Sequence, residues 1–272
     1  MHPLGFDIIS VSEGPHNAYD STVPHRHTFF ELFLFVKGGG THTIDFEKFP
    51  VEANTVHFIS PGQIHQLRVN DASGYVTCFN EDFVPLRNSE SFARTFLFYD
   101  NPGTSFLAIP PGLSNELQAM MISMKKELGK KTPDMEILRT SLRLLLLKLR
   151  GHFLTRLPGE KPGQPESRVI RFKKLIEQHY LRHLSIARYA DMLAVTPNYL
   201  NALCRKHEGK TAIRLVQERL LLEARRMIYA TDLHVNEISD HLRFADVSYF
   251  NRFFRKHTGY SPMNYRKKFI NH

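Results

Sequence analysis

Two decapeptides fifty residues apart constrain this chain more than anything else in it: Leu200 to Gly209 reads LNALCRKHEG, and Phe250 to Gly259 reads FNRFFRKHTG. Asn, Arg, Lys, His and Gly recur at matched positions, the mark of one structural unit used twice. Upstream, YADMLAV (Tyr189 to Val195) pairs with ISDHLRF (Ile238 to Phe244), one residue shorter in spacing. Each copy reads as a short helix, a tight turn and a second helix.

In the first copy Ser185 caps a helix whose Ile186, Ala190 and Leu193 share a face. Ala194 and Val195 turn the chain, and Thr196-Pro197 supply an N-cap and an N1 proline. The next helix buries Leu200, Leu203 and Cys204, leaving Asn198, Asn201, Ala202 and Arg205 outward. In the second copy Ile238, Leu242, Phe244, Phe250, Phe253 and Phe254 are core, and Val247, Ser248, Asn251, Arg252 and Arg255 face out. Asn and Arg on such a face read adenine and guanine edges in a major groove, whereas Lys206, Arg255 and Lys256 suit phosphates. Between the copies, Ala212 to Tyr229 carries Ile213, Val216, Leu220, Ala224 and Ile228 at helical spacing. Such a helix spans ~25 Å and can hold two recognition helices about one DNA turn, roughly 34 Å, apart.

Charge points the same way. Residues 1–160 hold 15 Lys and Arg against 17 Asp and Glu, a net of −2, and residues 161–272 hold 21 against 10, a net of +11, which together make the formal +9. A basic half with a duplicated helix-turn-helix is a binder of double-stranded DNA, because each phosphate it neutralises releases counterions. At 272 residues, two domains are expected. Cys78 and Cys204 are too few for a disulfide framework, which suits a reducing cytoplasm. The start, MHPLGFDIISVSEG, lacks a basic head and long apolar run, so no signal peptide is expected. LRLLLLKLR is interrupted by Arg143, Lys148 and Arg150 and is too short for a bilayer, so no membrane partner is expected.

The first hundred residues carry short apolar or alternating runs broken at Lys37 to Gly40, at Pro61-Gly62 and at the NDASG ending in Gly74, the pattern of an antiparallel barrel or sandwich. Two helices follow, roughly Ser114 to Leu128 with Ser114 as N-cap, and Asp134 to Leu154 with a stripe of Ile137, Leu138, Leu142, Leu145 and Leu149. That stripe serves a dimer interface or the domain's own core. LPGEKPGQPE, Leu157 to Glu166, is linker chemistry. The expected organisation is α+β in two domains: a sheet domain with trailing helices (1–156), a linker (157–167) and an all-α domain with two helix-turn-helix units (168–272). The sheet domain also carries HRHTFFELFLFVKG, His25 to Gly38. If this is one strand, its period of two puts His25, His27, Phe29, Glu31, Phe33 and Phe35 on one face and Phe30, Leu32 and Leu34 on the other, both covered. The three phenylalanines on the histidine face line a pocket or simply fill the core.

Residues Arg168 to His272 resemble the DNA-binding domain of the AraC/XylS family of transcription regulators, through YADMLAVTPNYLNALCRKHEG and ISDHLRFADVSYFNRFFRKHTGYSPMNYRK. The second stretch matches the family signature at Ser248, Tyr249, Phe250, Phe253, Gly259, Pro262 and Arg266. Two positions depart from it: Arg243 stands where relatives carry glycine, and Ala202 where many carry arginine. The turn at Arg243 is then remodelled or its side chain is a phosphate contact, and at the Ala202/Arg252 position only the second copy makes an arginine base contact. His25, His27, Glu31 and Gly38 also fit the cupin pattern His-x-His-x(3)-Glu-x(6)-Gly, and PGQIH, Pro61 to His65, resembles its second element. This resemblance implies a cupin-like barrel with His65 as fourth ligand, able to take a small effector or a divalent transition metal such as Zn, Ni, Fe or Cu. Asn54 stands at a position often glycine but tolerates the left-handed conformation. The family resemblance implies a non-enzymatic regulator, an activator working as a homodimer with RNA polymerase. The competing reading is a metal-dependent cupin oxygenase or isomerase with a basic accessory domain.

Overall fold

The structure, a computed structural model, describes residues 5–12, 23–80, 83, 105–156 and 165–270. It forms two compact units, Met1–Gly159 and Glu160–His272. Most of the expected linker, residues 157–164, lies outside the described residues, and the last part of it is already helical.

The described residues of unit one form eight strands: β1 (Phe6–Ser12), β2 (Phe30–Lys37), β3 (Gly40–Ile44), β4 (Glu47–Pro50), β5 (Thr55–Ile59), β6 (His65–Val69), β7 (Ser73–Phe79) and β8 (Phe106–Ala108). They make a five-stranded sheet, β1-β7-β2-β5-β8, and a three-stranded sheet, β4-β3-β6, with antiparallel pairing throughout. Gly, Asn and Asp supply positive φ at most of the turns, and Phe46 takes 75° between β3 and β4. Asn54 sits at 57° and Asp71 at 63°, and Gly39 at 144° could take no side chain, since a Cβ there would lie 1.8 Å from the Asn70 carbonyl oxygen.

β2 is covered on both faces, and period two sorts its residues. Phe33 and Phe35 pack with Val11, Ile44, Val51, Ile59 and Leu67 between the sheets. Phe30, Leu32 and Leu34 pack against the helices α1 (Pro111–Leu128) and α2 (Met135–Arg156). Each such residue, fully buried, contributes ~1.5–3 kcal/mol. The strand is shorter than its sequence suggests. The chain bends at Thr28 and Phe29, where the His27 ring bonds the Phe29 carbonyl at 2.7 Å, so strict alternation starts only at Phe30. Ser114 is not the α1 cap. Pro110 and Pro111, with φ preset for a first turn, start the helix three residues earlier, and Ser114 lies buried within it. Leu138, Leu142, Leu145 and Leu149 are wholly buried, so this stripe is core, not a free dimer face. Ile137 stands outside it, 48 % exposed.

Unit two is all-α: α3 (Pro165–His179), a 3-10 turn (Tyr180–Arg182), α4 (Ile186–Met192), α5 (Pro197–Glu208), α6 (Ala212–Ala230), α7 (Val235–His241), α8 (Val247–Thr258) and α9 (Pro262–Ile270). Ser185, Thr196 and Asp246 cap α4, α5 and α8 by accepting from backbone N–H groups. Gly209 and Gly259 end α5 and α8 in the left-handed conformation, at φ 66° and 80°, which is why glycine recurs in the repeat. Each helix-turn-helix has its own core. One joins Phe172, Tyr189, Leu200, Cys204 and Val216, the other Leu220, Ile238, Phe250, Phe254 and Tyr265. α6 contributes to both. Arg219 on α6 fastens α3: its Nε donates to both Glu177 oxygens at 2.8 Å, and its guanidinium lies 4.1 Å from the Tyr180 ring centre. No described helix is long and apolar enough to cross a membrane.

Candidate nucleic-acid interface and ligand site

The turn of each helix-turn-helix bends through one left-handed residue, Ala194 at φ 53° and Arg243 at 56°. In the second copy Arg243 N–H donates to Asp240 O at 2.9 Å and Phe244 N–H to Ser239 O at 3.0 Å. The turn at Arg243 is therefore not remodelled. Asn198, Ala202, Arg205 and Lys206 on α5, and Val247, Ser248, Arg252, Arg255 and Lys256 on α8, are exposed. The Arg252 guanidinium rests 6.0 Å from the Tyr249 ring centre. Asn201 and Asn251 are half-buried at the edge of this surface. Asn201 differs from expectation, because its Oδ1 accepts from Ala212 N–H at 3.0 Å and so closes the first turn of α6. Basic side chains on one helix face that form no ion pair with another described residue suit a phosphate backbone, while amide and guanidinium groups between them suit base edges.

In unit one, His27 Nε2 lies 3.1 Å and His65 Nε2 3.4 Å from the same Glu31 oxygen, Oε2. Their ligand atoms fall within 4.8 Å of one another. His65 arrives from the other sheet, held by paired backbone hydrogen bonds with His25, 3.0 Å from His25 N–H to His65 O and 2.9 Å in return. His25 lies beside this group without joining it, its ring centre 4.3 Å from that of His65 and 6.2 Å from that of His27, and its Nδ1 bonds the Val23 carbonyl at 3.0 Å. Three of the four cupin-pattern side chains thus bring their ligand atoms together, and the ring of the fourth, His25, packs against them. Phe29 stacks on the His27 ring, centres 4.0 Å apart, whereas Phe33 and Phe35 lie in the packed core.

Two further histidines, His42 on β3 and His57 on β5, were not visible as site residues in the sequence. Strand pairing brings them in. His57 and His42 share a hydrogen bond of 3.1 Å between their Nδ1 atoms, and His42 Nε2 bonds His65 Nδ1 at 3.2 Å. The one available signal is a histidine at an inward position of an otherwise apolar strand such as TVHFI. Burial keeps these rings neutral, holding His57 and His65 down at about 3 and His42 well below its ordinary value. A neutral imidazole donates from one nitrogen and accepts at the other, so the chain has two proton arrangements. In one, His65 Nε2–H points at Glu31; in the other, His65 offers a lone pair there and His42 donates to His57. The Cys78 thiol donates to the other Glu31 oxygen, Oε1, at 3.5 Å, and burial and the carboxylate push that thiol's pKa up.

Two family models cover these units: an AraC-like ligand binding domain over residues 12–82 and a helix-turn-helix domain over residues 189–268. The chain belongs to the AraC/XylS family of transcription regulators. It is a DNA-binding regulator with an N-terminal ligand-binding domain, and not the metal-dependent enzyme of the competing reading. Its similarity to relatives runs through both units. It is 24% identical over 280 residues to the HTH-type transcriptional activator RhaS of Pectobacterium atrosepticum, covering 95% of this chain and 92% of that one. It is 23% identical over 256 residues to the HTH-type transcriptional regulator YfiF of Bacillus subtilis, covering 90% and 79%. Among solved structures, ToxT of Vibrio cholerae aligns over 96% of this chain and 98% of its own, with 10% identity and a TM-score of 0.46.

Proposed function

We propose that this AraC-family regulator is an effector-responsive activator that works in the cytoplasm as a homodimer. Its domains are 1–156 for sensing and 168–272 for DNA. Asn198, Ala202, Arg205, Lys206, Val247, Ser248, Asn251, Arg252, Arg255 and Lys256 form the DNA surface. The activator part draws on the similarity to RhaS, and it makes RNA polymerase a partner. The sensing part rests on one observation: two buried ring nitrogens, on His27 and His65, that complete no hydrogen bond yet face one carboxylate oxygen. Buried polar atoms left so are costly unless something else satisfies them.

That something is a small polar effector or a divalent transition metal, Zn, Ni, Fe or Cu. The metal reading has a specific support. A tetrahedral ion with bonds of ~2.0–2.1 Å spaces its ligands roughly 3.3–3.4 Å apart, close to the 3.1 and 3.4 Å separating each nitrogen from Glu31 Oε2. His27, Glu31 and His65 would hold it and leave one position open to solvent or effector. A bound ligand acts on DNA binding only as far as it prefers one state of the chain over the other.

Footprinting of full-length protein on genomic fragments, with and without candidate metabolites and metals, tests this. The expected result is a preferred fragment, bound with a salt slope near −0.9 per phosphate contact, whose occupancy responds to effector in the wild type and not in His65→Ala. Binding to scrambled competitor as tight as to every fragment would remove the proposal. The dimer needs a surface other than the buried leucine stripe, and sedimentation showing only monomer at micromolar concentration would rule it out.

A further inference from the structure

The duplicated asparagines, Asn201 and Asn251, occupy the same place in their copies but stand next to different chemistry. In the first copy the residue that opens the following helix is Ala212, whose N–H is one of the donors a helix start leaves without an intrahelical partner. Asn201 Oδ1 satisfies it at 3.0 Å, while the Thr211 hydroxyl accepts from Arg214 N–H at 3.3 Å. In the second copy Ser261 takes the place of Thr211, accepting from Asn264 N–H at 3.3 Å, and Pro262 takes the place of Ala212. Proline has no N–H. Asn251 therefore has no such donor to serve, and among the described residues its amide has no hydrogen-bond partner, at the flank of the exposed face of α8.

Reading adenine in a major groove needs both ends of an amide at once, Oδ1 accepting from N6–H and Nδ2–H donating to N7. Asn201 can turn its Oδ1 to a base only by abandoning the start of α6, the helix that both helix-turn-helix cores share. Asn251 loses nothing. We propose that Asn251 is a specificity-determining residue that reads one adenine, whereas its twin Asn201 is structural, so that the two half-sites are unequally specified. The inference rests on the DNA surface assigned above.

The test is selection of bound duplexes from a random library by full-length protein, its Asn251→Ala and Asn201→Ala variants, each with its thermal unfolding curve. Loss of one bidentate pair, ~1–3 kcal/mol, corresponds to roughly a 5- to 150-fold fall in preference. Asn251→Ala is expected to unfold at the wild-type temperature and to lose adenine preference at one position by that factor. Asn201→Ala is expected to unfold at lower temperature with its base preferences unchanged. If Asn201→Ala fails to fold, Ala212→Pro replaces it: proline is tolerated at a first helical position, and it releases Asn201 as Pro262 does Asn251, so an adenine preference should appear in the first half-site. An Asn251→Ala profile identical to wild type, or Asn201→Ala erasing an adenine preference, overturns the inference. Wild type with no sequence preference at all would instead remove the DNA surface on which it rests.

Discussion

Arg243 and Ala194 hold equivalent turns in the two copies, both in the left-handed region that favours glycine. At Arg243 that conformation costs about 1 kcal/mol relative to glycine, a cost that makes sense if the exposed guanidinium meets a phosphate. Arg243→Gly is expected to raise unfolding free energy by about 1 kcal/mol in urea while lowering affinity for all sequences alike and reducing the salt slope by about 1. A stabilised variant with unchanged DNA binding would leave Arg243 without a role at the phosphate. Arg266 shows the opposite balance. Its Nε donates to Ile228 O at 3.1 Å and its Nη2 to Thr231 O and Leu233 O at 3.2 and 2.8 Å, collecting the carbonyls where α6 ends. Arg266→Ala should cost about 2–3 kcal/mol in urea unfolding, since bonds from a charged donor are worth ~1.5–3 kcal/mol each and do not add in full. Arg266→Lys should recover little of it, because a single ammonium cannot span the fork.

At the scale of elements, α2 separates two kinds of leucine that look alike in sequence. Leu142 and Leu145 are fully buried against the sheet and α1, and Leu144 is 47 % exposed. Leu145→Ala should destabilise by about 2–5 kcal/mol through lost burial and a cavity, while Leu144→Ser should change unfolding free energy by less than about 0.5 kcal/mol. Chemical denaturation of both checks the assignment of the stripe to the core. The caps of the helix-turn-helix units were legible beforehand, because Ser185, Thr196 and Pro197 act within a few residues of themselves. The start of α1 was not: Ser114 is a good cap in isolation, but the Pro110-Pro111 pair starts the helix ahead of it. The start of β2 was also missed, since the bend at Thr28 and Phe29 depends on where His27 and the chain opposite it lie.

Across the whole molecule, the sheet domain buries a column of neutral imidazoles, and its stability must follow pH accordingly. In the unfolded chain a histidine titrates near 6.5; in the fold His57 and His65 sit at about 3. Between those values the unfolded chain binds more protons, so stability is greatest above about pH 6.5 and falls as pH drops toward 3, by up to ~1.4 kcal/mol per pH unit for each ring. Urea unfolding of chelator-treated protein from pH 7.5 downward should show this slope, and His57→Leu should make it shallower. A pH-independent midpoint would mean that the rings are solvated. The duplicated unit, its caps, its buried faces and the basic half that carries it were readable from sequence alone, because periodicity and capping act over a few residues and repeat themselves. Only tertiary structure decided which side chains meet: β2 against β5 sets Phe33 opposite His57, β3 against β6 sets Ile44 opposite His65, and a proline in place of an alanine separates Asn251 from Asn201. Those outcomes depend on register between distant segments and on what each neighbour can donate, which no pattern along a single strand or helix records.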